Sequence, residues 1–205
     1  MKYGSIPSEN LCNLTKKLTA QFAHNLRAVL PKNAADAGSI IHTSWNEAYK
    51  GLVPEEMLAA QTSEKCTARA QRYSECYRIA YIDGEAAGTV CFVSDARDFC
   101  THRDGGEIQA LYVLERFQRQ GVGSALMQTV YETLGQRGIT LFVLDGNDKA
   151  IDFYKKQGFV FTGSELNEGG VTELEMYKGN TAQRPPEGFV RNLLASFPSY
   201  YTFFP

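Results

Sequence analysis

The stretch Ile139–Leu144 limits the folds open to this chain more than any other segment. Its six residues are apolar except for the hydroxyl of Thr140, a run that suits a strand covered on both faces. Helical patterns stand on either side. Val122, Ala125, Leu126, Val130 and Leu134 recur at helical spacing between Gly121 and Arg137, ahead of Gly138, and Ala150–Gln157 reads as a short helix stopped by Gly158. A buried strand bracketed by helices requires a sheet with helices packed on its faces, which is an α/β fold.

The remaining segments extend that sheet. Leu26–Leu30 reads as a strand ended by Pro31, and Asn33 is a candidate N-cap for a helix carrying Ala37, Ile40, Ile41, Ser44, Trp45 and Ala48 up to Gly51. Pro54, Glu55 and Glu56 open a second short helix toward Gln61, and a third covers Glu64–Arg72. Tyr77–Ile82 and Ala86–Val93 flank Asp83-Gly84, a pair that supplies the positive φ angles of a tight hairpin turn. Ser94–Gly106 reads as a polar loop and Glu107–Leu114 as a strand; Phe159–Thr162 and Val171–Lys178 are two more strands, joined by a polar Gly-Gly loop. The expectation is one α/β domain over residues 26–178, with a mixed, mostly antiparallel central sheet flanked by helices. Residues 1–25 form an N-terminal extension and residues 179–205 an apolar C-terminal one. In the latter, Phe189, Val190, Leu193, Leu194 and Phe197 precede Tyr200–Phe204, and so apolar an end is expected to pack on its own domain or on a second subunit as a homodimer.

Composition narrows the function. The 205 residues carry 21 Lys plus Arg against 23 Asp plus Glu, a net charge of −2 that disfavours nucleic acid as a partner. No apolar run approaches the roughly 20 residues of a membrane-spanning helix, and Met1–Asn10 lacks the apolar core of a secretory leader. A cytoplasmic protein is expected. The five cysteines form no Cys-x-x-Cys pair and His24, His42 and His102 stand apart, so neither a disulfide framework nor a metal site is expected.

The sharpest local feature is Gln118-Arg119-Gln120-Gly121-Val122-Gly123-Ser124, between the strand ending near Leu114 and a helix. Glycines at such a junction let backbone amides converge, and the unpaired N–H groups of a first helical turn form an anion site that suits phosphate. Arg119 adds a positive charge. A dinucleotide fingerprint fails because Leu126 stands where its third glycine belongs, and no Gly-Lys-Ser/Thr string marks a P-loop. The pattern Gln/Arg-x-x-Gly-x-Gly/Ala of coenzyme A pyrophosphate loops is met by Gln118, Gly121 and Gly123.

Together with this loop, Asn147–Phe159, Glu107–Val113 and Trp45–Pro54 resemble, in order and on the expected kinds of element, the GNAT superfamily of N-acyltransferases. The resemblance spans Leu26–Lys178. It implies acetyl-CoA as cosubstrate without a metal, and a small-molecule or peptide amine as acceptor, attacked directly by nitrogen. Leu111, Tyr112 and Val113 would offer contacts to the pantetheine arm where two central strands splay apart. Gln118, Arg119, Gln120, Gly121, Val122, Gly123 and Ser124 would hold the pyrophosphate, and Asn147 would bond the pantetheine or orient the next helix. An amine with a lysine-like pKa of about 10.4 is only about one part in a thousand neutral at pH 7. A base is therefore useful, and the resemblance assigns that role to Glu107, acting through water. Departure of a thiolate, whose thiol pKa is about 8.5, profits from a donor, which would be Tyr154. Trp45 and Tyr49 would line the acceptor groove, and Asp95, Asp98 and Asp104 in the nearby loop could attract a cation. A catalytically silent module that binds or senses acyl-CoA is the alternative.

Overall fold

The computed structural model describes residues 26–28 and 34–179. The N-terminal lead, Asn33, the end of the first expected strand and the apolar tail from residue 180 lie outside these. Within them runs a seven-stranded sheet of order β1-β2-β3-β4-β5-β7-β6, comprising β1 Leu26–Ala28, β2 Tyr77–Ile82, β3 Glu85–Val93, β4 Gly106–Val113, β5 Ile139–Leu144, β6 Val160–Glu168 and β7 Val171–Lys178. All neighbours are antiparallel except β4 and β5. The hairpin turn has the expected chemistry, with φ of 50° at Asp83 and 85° at Gly84.

Five α-helices lie among the described residues, α1 Ala34–Tyr49, α2 Glu55–Ala60, α3 Ser63–Arg72, α4 Val122–Leu134 and α5 Asp148–Lys156, with single 3-10 turns at Ser74–Cys76 and Glu115–Phe117. One face of the sheet packs on α4 and α5 through Ile108, Leu126, Leu141, Val143, Tyr154 and Met176. The opposite face carries α1 and α3, with Ile40, Ile41, Trp45 and Cys66 against Ala110 and Tyr112. Burial of these apolar stripes, at about 25 cal/mol per Å² removed from water, is what fixes the helices to the sheet.

Several boundaries differ from the sequence reading for identifiable reasons. Helix α4 ends at Leu134 rather than near Arg137, because Gly135 turns to a φ of 64° while its N–H still reaches Tyr131 O. Helix α3 begins at Ser63, capped by Thr62, whose Oγ accepts from Lys65 N–H at 3.3 Å. Pro54 stands at the cap of α2, one position before its first helical residue. The largest difference is β6, which continues to Glu168 where a loop from Gly163 was expected. A register shift between Phe161 and Glu165, with Gly163 at a φ of 88°, lets the strand resume pairing with β7, so only Gly169 and Gly170 make the turn.

Candidate active site

Strands β4 and β5 are paired only at one end. Their register covers Gly106–Ile108 against Ile139–Leu141, and beyond it the two strands run on without bonds. The closed end is held by backbone contact: Gly106 N–H donates to Gly138 O at 2.9 Å, and a Cβ on Gly105 would lie 2.1 Å from that carbonyl. At the open end, Leu114 N–H bonds Ala87 O at 3.0 Å toward β3. By strand alternation Leu111 and Val113 therefore turn their amide groups into the gap. The gap widens into a cleft of about 940 Å³.

The glycine loop forms one lip of that cleft. Gly121 is the N-cap of α4 in the left-handed region at φ 87°, and no side chain caps the helix. Ala125 N–H to Gly121 O, 2.9 Å, is the first bond of the helix, so the amides of Val122, Gly123 and Ser124 precede the ladder. Arg119 also takes a positive φ, 62°. Gln118 Nε2 donates to Val113 O at 3.2 Å and Gln120 Nε2 to Arg116 O at 2.8 Å, so both glutamines brace the loop with their side chains. The result is a cluster of outward amides beside an exposed guanidinium, a geometry that complements a pyrophosphate.

Asn147 and Tyr154 sit at the other lip. The Asn147 side-chain Oδ1 accepts from Ala150 N–H at 3.3 Å and caps α5, which itself begins at Asp148 rather than Ala150. Tyr154, 7% exposed, lies edge-on to Phe153 and Phe159 at 5.4 and 5.7 Å between ring centres and lines the cleft. Burial pushes its phenol pKa far above the ordinary value. A phenol so shifted keeps its proton at neutral pH and has an O–H to donate.

Glu107, expected to act as a base through water, is engaged by its neighbours. It is absent from the cleft lining, wholly buried, and held by Arg97, whose Nε lies 2.8 and 3.0 Å from its two oxygens, with Nη2 and the Arg97 backbone N–H adding further bonds. A carboxylate so engaged presents no free oxygen to a substrate in the gap. Glu175 is fixed in the same way by Thr101 N–H, Thr101 Oγ and Thr162 Oγ. The segment after β3, expected as a polar loop, is pinned to the sheet by these bonds; His102 adds a ring stack on Tyr177 at 3.7 Å. Asp95 within it pairs with Arg137, 3.4 Å away, rather than facing the cleft.

On the α1 side of the cleft, Trp45 and Tyr49 meet edge to face at 4.6 Å and both line it. Tyr49 is hydrogen-bonded to Tyr112, whose pKa burial pushes up to about 12. Here the structure adds a residue that the sequence reading passed over. Glu173 on β7 lines the cleft, opposite Leu144 in register, and forms no hydrogen bond or ion pair among the described residues. The available signal was the alternation Glu173-Leu174-Glu175-Met176: an acid recurring on one side of a strand whose other side is core.

A family model described as "Acetyltransferase (GNAT) family" matches residues 39–159, more than half of the chain. The chain belongs to the GNAT family. It is 26% identical over 145 residues to a probable N-acetyltransferase of Mycobacterium tuberculosis, covering 67% of this chain and 80% of the relative. With an uncharacterized N-acetyltransferase of Bacillus subtilis it shares 31% identity over 78 residues, 37% of this chain and 56% of that protein, so the chain matches only part of that relative's length. Among solved structures, the PaiA N-acetyltransferase of Thermoplasma acidophilum in complex with coenzyme A superposes with a TM-score of 0.56 at 18% identity, covering 73% of this GNAT chain and 96% of the other, a likeness of fold. Among the described residues of this family member no helix is long and apolar enough to cross a membrane, and no group of three metal-ligating side chains comes together.

Proposed function

We propose that the protein is an acetyl-CoA-dependent N-acetyltransferase that moves an acetyl group to a primary amine of a small molecule or peptide. The observation that carries this reading is the parting of β4 from β5 beside an uncapped helix N-terminus. The amides of Val122, Gly123 and Ser124, with Arg119, meet the pyrophosphate; the backbone of Leu111 and Val113 meets the pantetheine amides in the gap. A backbone N–H there stabilises the oxyanion that forms when nitrogen attacks the thioester. The coenzyme A complex of the PaiA relative supports the same occupant for this fold.

Tyr154 acts at the sulfur. Its raised pKa lies well above that of a thiol, about 8.5, so its contribution is a hydrogen bond to the developing thiolate more than a completed proton transfer. Trp45 and Tyr49 form a wall for the acceptor. We take Glu107 out of the proton path: its bonds to Arg97 make it an anchor for the loop that closes the floor of the site. The test is release of free thiol from acetyl-CoA in the presence of spermidine, kanamycin, free amino acids or tetrapeptides, with coenzyme A affinity measured by calorimetry. Release with at least one amine is expected. Tight coenzyme A binding with no release from any of them would identify a silent binding or sensing module instead.

A further inference from the structure

We infer that Glu173 on β7 is the general base that takes the proton of the acceptor amine, acting from the face of the sheet opposite Tyr154. The inference rests on the acetyltransferase reading and names the group that its chemistry lacks once Glu107 is set aside.

The argument begins with strand alternation. Leu174 and Met176 point to the core shared with α4 and α5, where Tyr154 also lies, so Glu173 and Glu175 point to the other face. That face carries Trp45 and Tyr112, and the cleft reaches it through the gap between β4 and β5. A thioester held in the gap has two sides. Its sulfur meets the side bearing Tyr154, and an amine attacking the carbonyl arrives from the side bearing Glu173. Donor and acceptor of protons are thus separated by the sheet itself.

Availability distinguishes this carboxylate from its neighbours. Glu107 and Glu175 are each saturated by donors, whereas Glu173 has none among the described residues and lines the cleft. Burial, chiefly, pushes its pKa up to about 7. The charged and titratable groups facing it are Arg97 from the loop after β3, which favours the carboxylate, Glu168 from β6 and Glu107 from β4, which oppose it, and Tyr112 from β4. Below that value Glu173 is neutral and takes up no proton from an amine; above it the carboxylate can act. A cationic acceptor docking beside it favours the charged form further.

The step balances without another reagent. The neutral amine forms the N–C bond, the C–S bond breaks, and its electron pair leaves with sulfur as thiolate. The proton shed by the nitrogen passes to Glu173, directly or through one water, and then to solvent.

The test compares wild type, Glu173→Gln and Glu107→Gln in thiol release from acetyl-CoA with the most active amine of the panel, over pH 5.5–9.5, alongside calorimetric coenzyme A affinity. We expect Glu173→Gln to lower kcat/KM by about 10²–10³-fold at pH 8. We also expect its profile below pH 7 to be shallower by one log unit per pH unit, with coenzyme A affinity unchanged as the sign of an intact fold. Carbon-13 NMR of glutamate-labelled protein adds a readout independent of turnover, namely a carboxyl titrating near 7 that is missing from Glu173→Gln. Wild-type turnover with an unaltered profile in Glu173→Gln, or loss of the limb in Glu107→Gln alone, would overturn the assignment while leaving the acetyltransferase reading intact. A wild type that binds coenzyme A but transfers to no amine would overturn both.

Discussion

The two ends of the β4–β5 pair are built from the same kinds of residue and do opposite things. At the closed end, Gly105 and Gly138 bring the backbones into contact, and two buried glutamates are tied to Arg97, Thr101 and Thr162. At the open end the backbones part, amides face a cleft, and the carboxylate of a third glutamate and the hydroxyl of a tyrosine have no hydrogen-bond partner among the described residues. Polar groups saturated by one another hold a fold together, whereas those left unsaturated are available to a ligand. Substitutions at the closed end should therefore be read in stability, and those at the open end in turnover or affinity.

The sharpest attempt to break this contrast is Tyr154→Phe, for which turnover should fall by about 10²–10⁴-fold with the melting temperature almost unchanged. Equal losses in both would show that the open end is structural as well. Glu107→Gln should do the reverse and cost about 3 kcal/mol in urea unfolding, because Arg97 loses the partner of its partly buried charge. A 10²-fold fall in turnover at full stability would return Glu107 to the proton path. Next in size, Gly121→Val forces a β-branched residue to a φ of 87° and should weaken coenzyme A binding by about 10–100-fold in calorimetry. Normal affinity would mean that the helix N-terminus is not the phosphate lip.

The smallest effect concerns Glu173 and pH. Its carboxyl pKa is higher in the folded chain, about 7, than the ordinary 4.5, so its contribution to stability is fully present below 4.5 and is lost as pH rises through 7. Glu173→Gln should accordingly raise stability at pH 8 by about 1–2 kcal/mol while changing little at pH 4.5. A site that holds a desolvated carboxylate for chemistry trades stability for function. No gain at pH 8 would place Glu173 with the saturated glutamates.

Much of the frame was legible beforehand because it depends on local chemistry. Asp83-Gly84 dictates its hairpin, Gly121 and Gly123 their loop, and Ile139–Leu144 its covered strand, each through backbone constraints or hydrophobic period that neighbours in sequence supply. The β6 extension was not legible, since it depends on pairing with β7 across the break at Gly163. The roles of the glutamates were not legible either. Glu107 has the sequence context of a general base, yet Arg97, ten residues earlier in a loop, bonds both of its oxygens.

The sequence by itself determined that this chain builds an α/β sheet, that a helix begins at a glycine loop, and which strand runs beside it. Each of those follows from residues close together along the chain. Which carboxylate faces the cleft, and that the sheet puts it across from Tyr154, only the tertiary structure decided. Desolvation and charge pairing act between segments as distant as Arg97, Glu107 and Glu173, and these meet only when the sheet closes at one end and opens at the other.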